Sequence, residues 1–517
     1  MKLKQLPYSY LIFIFNFVPL SAYAEADRIR QEQEQQRFLR SGQQQWIRTL
    51  ETPPAVKTET AQPDTNSPPV FSAQDLRGQA DVLAAMLEQV LDARQHELLD
   101  ELIGLYALTP TPDPLLLQRA QGMAAKHRGD YDEAVRIYRS LAAATPENTR
   151  IRLDLAAILA EDRQWRESEA LFRQIRQEDI PPQVDTNIQG YLNAMQQQQA
   201  WQWSGGLSPA YDDNINNAAA PHCSVLGCSR ESARSAFGLA YGLQAAKQQA
   251  LAGHHGLLFQ AQLGGTNYYL SRHAAQDSMY GRIGAGWLWQ NADQRFTLLP
   301  FYQFQLSGTD NFATHKVQDN RTLRLYMWSH AYGLRAEYNR ILSSRWQLNL
   351  AAEGYRQHYR LAGQAQRHDG WYTAQNALLA RRATPRDTLY AGLMLHQAFP
   401  ANRRLHGETN NAAYRRYGLQ AGWIRDWTWP GGLSTRVSAS AAERRFKGQA
   451  LNVTAQGFPL ERRLDREYQY GLALWHRDWA VWGMTPKLNL SRQEIRSSHT
   501  WAQRKNNQIF IELERRF

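Results

Sequence analysis

Apolar residues recur at every second position through most of the chain, from about residue 200 to the C-terminus. Phe237, Leu239, Tyr241 and Leu243, for example, alternate with glycine and alanine. Successive side chains of a β-strand point to opposite faces, so this period predicts strands with one apolar and one polar or small face. Two architectures fit: a soluble sandwich with an apolar core, or a membrane barrel whose apolar face meets lipid and whose polar face lines a wet interior.

The connections between the strands favour the barrel. Fourteen strand candidates begin near residues 200, 235, 256, 277, 295, 324, 345, 371, 387, 412, 433, 464, 484 and 499. Short turns fall near residues 252–255 and 343–344, whereas long loops cover residues 212–234, 309–322 and 450–463. An even number of strands with short turns at one end and long loops at the other is typical of an outer-membrane barrel. Lipid offers no hydrogen-bond partners, so every backbone N–H and C=O group must be paired within the sheet, and the sheet must close.

Composition excludes several other classes. Mean hydropathy is −0.59, and no apolar run of about 20 residues follows the N-terminus, which excludes a bundle of transmembrane helices. Two cysteines in 517 residues exclude a disulfide-built scaffold. A net charge of +11 suits anionic partners. Nucleic acid is not expected among them, because the first 24 residues have the pattern of an export signal.

The first 24 residues have the pattern of a secretory signal peptide. Lys2 and Lys4 form a basic start, and residues 10–20 form an apolar stretch too short to span a membrane. Ala22 and Ala24 give the small-x-small cleavage pattern, so we expect cleavage between Ala24 and Glu25. Residues 25–71 are rich in Gln, then in Pro, and predict an arm and a flexible linker.

Residues 72–199 have a helical period and contain two 34-residue units, 115–148 and 149–182. The units carry small and aromatic residues at the positions where tetratricopeptide repeats use them to pack paired helices: Gly122, Ala134 and Tyr138 in the first, and Leu155, Ala156 and Phe172 in the second. Stacked repeats present a concave surface that suits an extended peptide. An ordinary helical hairpin domain is the alternative.

The predicted fold is α + membrane β. It consists of an N-terminal tetratricopeptide-like helical domain over residues 72–199, placed in the periplasm, and an antiparallel transmembrane β-barrel of about 14 strands over residues 200–517. Ile511, Leu513 and the terminal Phe517 end the last strand with an alternating apolar pattern. This pattern resembles the signal that the bacterial barrel-assembly machinery recognises.

The stretch from Pro209 to Ala218 gives the sharpest resemblance to a known family. Its residues are similar to those that open the barrel domain of the surface lipoprotein assembly modulator (Slam) family of Gram-negative bacteria, and the repeats before the barrel match as well. The motif contains Tyr211, Asp212, Asp213, Asn214, Ile215, Asn216 and Asn217. The resemblance implies an outer-membrane translocator that delivers surface lipoproteins or secreted haem-binding proteins from the periplasm.

Three local interpretations of this motif remain open. Asp and Asn are turn formers that hydrogen-bond to their own backbone, so the segment can be a structural turn after the first strand. It can instead contact the client. Calcium binding is the third interpretation, but the spacing of the acids is not that of an EF-hand loop, and we predict no metal site.

Two further sets of residues carry interpretable chemistry. Outside the cytosol a disulfide between Cys223 and Cys228 is the expected state. Zinc binding by these two cysteines with His222 is the alternative, and it lacks an obvious fourth ligand. His254 and His255 lie in a predicted turn, where we expect both to be solvated. Arginine pairs recur on predicted strands and loops, where they can bind lipopolysaccharide phosphates, line the barrel interior or remain solvated: Arg381-Arg382, Arg403-Arg404, Arg415-Arg416, Arg444-Arg445 and Arg462-Arg463.

No nucleophile elbow, HExxH motif or phosphate-binding glycine loop occurs, so the sequence predicts no enzyme and no cofactor. His396, Asp426 and His476 are interpreted as polar groups of the barrel interior. Besides the client, expected partners are outer-membrane lipid and lipopolysaccharide, with a periplasmic chaperone and the barrel-assembly machinery as further candidates. An exopolysaccharide exporter and a diffusion porin are the alternative functions.

Overall fold

The computed structural model describes most of the chain after residue 78. The described residues are 47, 50, 79–93, 98–225, 227–228, 232–269, 276–308, 325–428, 432–476, 478–479 and 484–516. The predicted signal peptide with its cleavage site between Ala24 and Glu25, and the terminal Phe517, lie outside them. Of the predicted arm and linker, only Ile47 and Leu50 are described.

The N-terminal part is helical. The described helices are α1 (Ala80–Ala93), α2 (Leu99–Ala107), α3 (Pro114–His127), α4 (Tyr131–Ala144), α5 (Thr149–Glu161), α6 (Trp165–Ile175) and α7 (Pro182–Gln199). Several begin at side chains that accept a hydrogen bond from the first turn, as Asp113, Asp130 and Asn148 do. Such caps satisfy backbone N–H groups that have no partner within the helix.

The helices pair as repeats of 34 residues. Tyr131 opens α4 and Trp165 opens α6, one repeat apart. The predicted packing residues all have little or no exposed surface: Gly122, Ala134, Tyr138, Leu155, Ala156 and Phe172. A Cβ on Gly122 would lie 2.7 Å from Cε2 of the Tyr138 ring, so only glycine lets α3 approach α4 this closely.

Replacing Gly122 with Val is expected to lower the free energy of unfolding of the helical domain by about 2 kcal/mol, because the added atoms overpack the contact with Tyr138. The helical circular-dichroism signal of the full-length protein during a urea titration measures this. The control is Gly190→Val in α7, where nothing lies within 4 Å of the added Cβ. Equal effects of the two substitutions would contradict the packing argument.

Fourteen described strands form one closed antiparallel barrel, as the alternation and loop lengths predict. They are β1 (Gln202–Asp212), β4 (Ala236–Ala250), β5 (His255–Tyr268), β6 (Ser278–Gln290), β7 (Gln294–Ser307), β8 (Tyr326–Ile341), β9 (Trp346–Tyr359), β10 (Gly370–Thr384), β11 (Asp387–Pro400), β14 (Tyr414–Asp426), β15 (Leu433–Leu451), β16 (Leu460–His476), β17 (Thr485–Ser497) and β18 (Arg504–Arg516). The barrel closes because β1 pairs with both β4 and β18.

Short strands and one short helix lie within the connections between the barrel strands. They are the two-residue strands β2 (Cys223–Ser224) and β3 (Gly227–Cys228), which pair together, the similar pair β12 (Arg404–Leu405) and β13 (Glu408–Thr409), and helix α8 (Ala362–His368). All of them lie in the longer connections, at the end of the barrel where β1 finishes.

The strands place apolar side chains on the outside of the barrel. On β11, Leu389 and Leu393 are 45% and 59% exposed, whereas Tyr390 and Met394 are 5% and 7% exposed and face inward. An outward apolar band of this kind matches the hydrocarbon of a bilayer. None of the described helices is both long enough and apolar enough to cross a membrane.

The two ends of the barrel differ. Residues 251–254, 291–293 and 385–386 are short turns at one end, and residues 213–235 and 401–413 are long loops at the other. Helix α7 ends at Gln199, three residues before β1 begins, so the helical domain lies at the end with the short turns.

Candidate functional site

The inner face of the barrel carries buried ion pairs. Glu353 on β9 accepts from Arg282 on β6 at 3.1 Å and from Arg335 on β8 at 3.2 Å. Side chains from strands that are not neighbours meet readily on the concave side of a barrel. This cluster therefore fills part of the interior, and the Glu353 side chain is 2% exposed.

A second cluster lies further around the same wall. Glu467 on β16 accepts from Arg416 Nε of β14 at 2.9 Å, and its other oxygen, Oε1, forms an ion pair with Arg444 Nη2 of β15 at 2.7 Å. The three side chains are 5%, 7% and 2% exposed, so little water screens their charges. His396 on β11 lies beside Arg416, with 3.5 Å between Nδ1 and the guanidinium. One buried carboxylate therefore contacts two arginines.

Aromatic rings line the wall between the two ion-pair clusters. They are Phe301, Tyr355, Tyr372, Tyr414 and Phe446, all buried together. Arg282 lies 4.1 Å from the centroid of Phe301, and Arg444 lies 4.9 Å from that of Tyr414. Guanidinium groups are attracted to aromatic faces at such distances. One wall of the barrel is therefore a continuous lining of arginine, carboxylate and aromatic groups.

The opposite wall, around the junction of the first and last strands, is lined by small residues. The inward positions are Gly206, Ser208 and Ala210 on β1, and Gly238, Ala240 and Gly242 on β4. Gly242 remains exposed although its position faces the interior. This wall therefore projects much less side-chain volume into the interior than the opposite wall does.

The arginine pairs divide between the two faces because side chains alternate. Arg416, Arg444 and Arg463 are buried inside, whereas Arg415, Arg445 and Arg462 are exposed on the outside. Each of these three pairs therefore supplies one interior charge and one exterior charge. The barrel interior and the outer surface, which were alternatives from the sequence alone, are therefore both occupied by these pairs.

The Asp/Asn motif joins the first strand to the last. Asp212 Oδ2 accepts from Gln508 Nε2 at 2.6 Å, and Asp213 accepts from the backbone N–H and the side-chain amide of Asn507 at 2.8 and 2.7 Å. The backbone pairing of β1 with β18 is interrupted at Ser208 and Pro209. The side-chain contacts of the two aspartates add to the pairing that remains. The two aspartates therefore clamp the end of the β1–β18 junction nearest the long loops.

The remaining residues of the motif form the turn behind this clamp. Asn214 bonds to both backbone groups of Ala218, and Asn217 adopts a left-handed conformation with φ of 52°. Ile215 is buried with Ala236 and Tyr268, while Asn216 bonds to the backbone of Ser232 and Arg234. The Tyr211 ring lies 4.9 Å from that of Phe237 on the next strand.

Other sites predicted from the sequence lie apart from this motif. Cys223 and Cys228 are joined by a disulfide in the first long loop. Ile511 faces outward on β18 and is 44% exposed, and Leu513 pairs with Leu207. In the described part of the chain, no group of three or more His, Cys, Asp or Glu side chains is arranged to hold a metal ion.

The predicted arm contacts the barrel interior. Ile47 is 8% exposed and is buried among inward side chains of β10, β11, β14 and β16, and Leu50 packs against the same group. Those side chains are Leu378, Ala380, Tyr390, Ile424, Ala473 and Trp475. The interior thus has an apolar patch near the short turns, and an apolar side chain of the chain itself occupies it.

Helical domain and barrel meet at a buried ion pair. His254 Nε2 lies 2.8 Å from Oδ2 of Asp162, whose side chain is 2% exposed. Nearby, the Gln248 amide donates to the backbone of Gln198, and the Ala250 N–H donates to the side chain of Gln199. The expectation that His254 is solvated was wrong, because nothing in the sequence indicates that this turn faces the repeat domain.

The junction is expected to weaken as pH rises. The hydrogen bond to Asp162 raises the pKa of His254 above its ordinary value; partial burial and Arg139 oppose the rise, and the charges of Asp162 and Asp132 add to it. The stabilisation is complete below about pH 6.5, the ordinary histidine value, and is lost as pH rises through the higher pKa of the folded state. The rate of amide hydrogen exchange at residues 251–254, corrected for its intrinsic pH dependence, is therefore expected to increase as pH rises.

Two variants control this prediction. His254→Gln is expected to abolish the pH dependence, whereas His255→Gln leaves it intact, because His255, the first residue of β5, stacks on Trp287 and not on the helical domain. A pH dependence that survives in the His254 variant would show that another group is responsible.

Arg163, beside this ion pair, has an uncommon backbone conformation. Its φ is 66°, and the residue one repeat earlier is Gly129 with φ of 83°. Both residues end a helix with the same pattern, in which the next N–H bonds back to the helix, to Ala125 or to Leu159. Glycine adopts this conformation freely, but for any other residue the left-handed conformation lowers the stability of the fold by about 1 kcal/mol or more. Arg163 therefore strains the turn.

Sequence comparison identifies the family. Residues 201–517 match the family described as Surface lipoprotein assembly modifier, and residues 70–172 match its N-terminal TPR repeats. Surface lipoprotein assembly modifier 2 of Neisseria meningitidis is 36% identical over 88% of this chain and 90% of its own length. The Surface lipoprotein assembly modifier of Pasteurella multocida is 29% identical, covering 86% of this chain and 85% of its own length.

Two more distant proteins are also similar. The Hemophilin secretion modulator of Acinetobacter baumannii is 25% identical over 78% of this chain and 79% of its own length. Among solved structures, the outer membrane protein OpdK of Pseudomonas aeruginosa covers 62% of this chain and 99% of its own, at 10% identity and a TM-score of 0.28, a likeness too slight to support a conclusion. The matches to both the barrel and the repeats show that this chain belongs to the surface lipoprotein assembly modifier family.

Proposed function

We propose that this protein moves client proteins from the periplasm through the outer membrane to the cell surface. The observation that carries the proposal is a closed barrel, with one wall of small residues, joined directly to a domain of tetratricopeptide-like helical repeats at one end. Relatives that share most of the chain are named as surface lipoprotein assembly modifiers and a hemophilin secretion modulator. The proposed clients are therefore surface lipoproteins or secreted haem-binding proteins.

The orientation follows from the loops. Short turns of outer-membrane barrels face the periplasm and long loops face outward. Since the helical domain lies at the end with the short turns, we place residues 72–199 in the periplasm and residues 200–517 in the outer membrane. The repeats then receive the client, or a chaperone that carries it, before the client reaches the barrel.

The interior is suited to an extended polypeptide. Its two walls offer buried ion pairs and aromatic rings on one side and small residues on the other, so it presents both polar and apolar groups to a passing chain. The apolar patch already holds the side chain of Ile47, which indicates that it can hold an apolar residue of another peptide. Nothing in this proposal requires catalysis.

The outer surface offers contacts for lipopolysaccharide. Exposed arginines lie on the outward faces of β14 to β17, towards the end with the long loops: Arg415, Arg445, Arg462, Arg466, Arg492 and Arg496. Guanidinium groups bind phosphate through two parallel hydrogen bonds. We propose that these arginines hold lipopolysaccharide phosphates around the barrel, and that the barrel-assembly machinery recognises the last strand through Ile511, Leu513 and Phe517.

Surface labelling of intact cells with and without the gene, followed by proteomics of the whole envelope, tests the function. We expect one or a few proteins to disappear from the surface while they persist inside the cell. An unchanged set of surface proteins would contradict protein translocation. Exported polysaccharide and small-solute uptake, measured in the same cells, would then distinguish an exporter from a porin.

A further inference from the structure

A pocket of about 240 Å³ lies where the helical domain covers the interior of the barrel at its short-turn end. The helical domain contributes Arg163, Trp165 and Gln198 to its lining, and the barrel contributes residues from the ends of five strands and from the turn between β6 and β7. Several of the strand residues are inward-facing amides: Gln248, Gln290, Asn339 and Gln347. The pocket is therefore part of the entrance to the barrel interior and not of the lipid-facing surface.

Two arginines from different domains, Arg163 and Arg295, line this pocket. Neither forms an ion pair with any residue of the described ranges. Arg295 is attracted by Glu337 and, more weakly, repelled by Arg163, but the carboxylate of Glu337 is itself bound by Arg335 at 3.1 Å. Asp293 also lines the pocket but pairs with neither arginine. The entrance therefore carries positive charge that an incoming anion would neutralise.

The backbone at Arg163 supports a role for its side chain. The preceding repeat has Gly129 at the equivalent position, where glycine is unstrained, so the turn itself does not require arginine. The guanidinium lies 5.5 Å from the centroid of the Trp165 ring, which directs it towards the pocket. A strained residue that the fold does not need is a reason to look for a function.

We propose that Arg163 and Arg295 bind the carboxylates of an acidic segment of the client as it passes from the helical repeats into the barrel. The two arginines supply the charge, and the surrounding amides supply hydrogen-bond donors for peptide backbone and side chains. A lipid headgroup would offer similar chemistry, but the pocket opens to the barrel interior, where no bilayer lies. This inference names a client feature and rests on the proposed translocation.

Binding of a fluorescein-labelled oligoglutamate peptide to the full-length protein in detergent tests the site. We expect Arg163→Gly and Arg295→Gln each to weaken binding about tenfold, the usual effect of losing one charge-assisted hydrogen bond. Asp293→Asn is expected to strengthen binding, because it removes a repelling carboxylate. Oligoserine and inorganic phosphate serve as probes for non-acidic peptide and for phosphate alone.

Arg163→Gly separates a binding role from a structural role. Because glycine relieves the strained turn, the thermal midpoint of the helical domain is expected to rise by a few degrees while peptide binding and client delivery fall. The control is Arg166→Gln, an exposed arginine in the first turn of α6, three residues after Arg163, which is expected to change neither.

Three results would overturn the proposal: oligoglutamate binding equal in the wild type and in Arg163→Gly, phosphate binding as tight as oligoglutamate binding, or normal client delivery by Arg163→Gly. The proposed function is judged separately, by comparing wild-type cells with cells that lack the gene. Translocation can therefore be shown even if the pocket has no part in it.

Discussion

Replacing Glu467 with Gln is expected to lower the free energy of unfolding of the barrel by about 3–5 kcal/mol, the range for breaking a buried ion pair by removing one partner. Arg416 and Arg444 both contact this carboxylate and are 7% and 2% exposed, so water cannot replace it. Glutamine keeps the shape of the side chain and removes only the charge. Urea titration of the purified protein, followed by tryptophan fluorescence, measures the change.

A matched substitution on the outside of the barrel controls for the loss of one acid. Glu443 on β15 accepts from Tyr417 and Arg445 on the outward face, and its side chain is 23% exposed. Glu443→Gln is therefore expected to lower stability by less than about 1 kcal/mol. If both variants were equally stable, the interior carboxylate would not hold the lining together.

Removing the two aspartates that clamp the first strand to the last is also expected to destabilise the barrel strongly. The double substitution Asp212→Ala and Asp213→Ala removes the acceptors for Asn507 and Gln508. Hydrogen bonds to charged groups contribute about 1.5–3 kcal/mol each, less where they are exposed, so we expect a loss of about 3 kcal/mol. The temperature at which the folded form disappears in semi-native electrophoresis is then expected to fall.

A designed disulfide shows whether the loss arises at the β1–β18 junction. Ala210 pairs with Phe510, so Ala210→Cys with Phe510→Cys is expected to restore thermal resistance to the double variant under oxidising conditions. Glu408→Ala, in the exposed β12–β13 hairpin, is the control and is expected to have no effect. Failure of the disulfide to restore stability would locate the damage elsewhere.

The barrel was predictable because its signal is local. Alternation along single strands such as β4 and β11 indicates a strand and its outward face without any knowledge of partners, and loop lengths give the order of the two ends. The last strand begins at Arg504 instead of near residue 499, because Thr500–Ala502 form a short helical turn. Side-chain period alone does not distinguish such a turn from the start of a strand.

The interior contacts were not predictable because they depend on which strands meet across the barrel. Arg282 and Glu353 are 71 residues apart in the sequence. Predicting their contact would require the pairing register of all four strands from β6 to β9. Charged residues at inward positions were the available signal, but they do not identify their partners. The same holds for Asp162 and His254, which belong to different domains. Arg163 could have been noticed by aligning it with Gly129 in the preceding repeat.

The most direct test of translocation through the barrel is photo-crosslinking from neighbouring residues that face opposite sides. A photoreactive amino acid is placed at Gln244, which faces the small-residue side of the interior, or at Leu243, which is 45% exposed on the outer face. During delivery of a client identified by surface labelling, we predict client adducts at position 244 and none at position 243. Adducts at position 243 alone, or at neither position while delivery continues, would contradict passage of the client through the barrel.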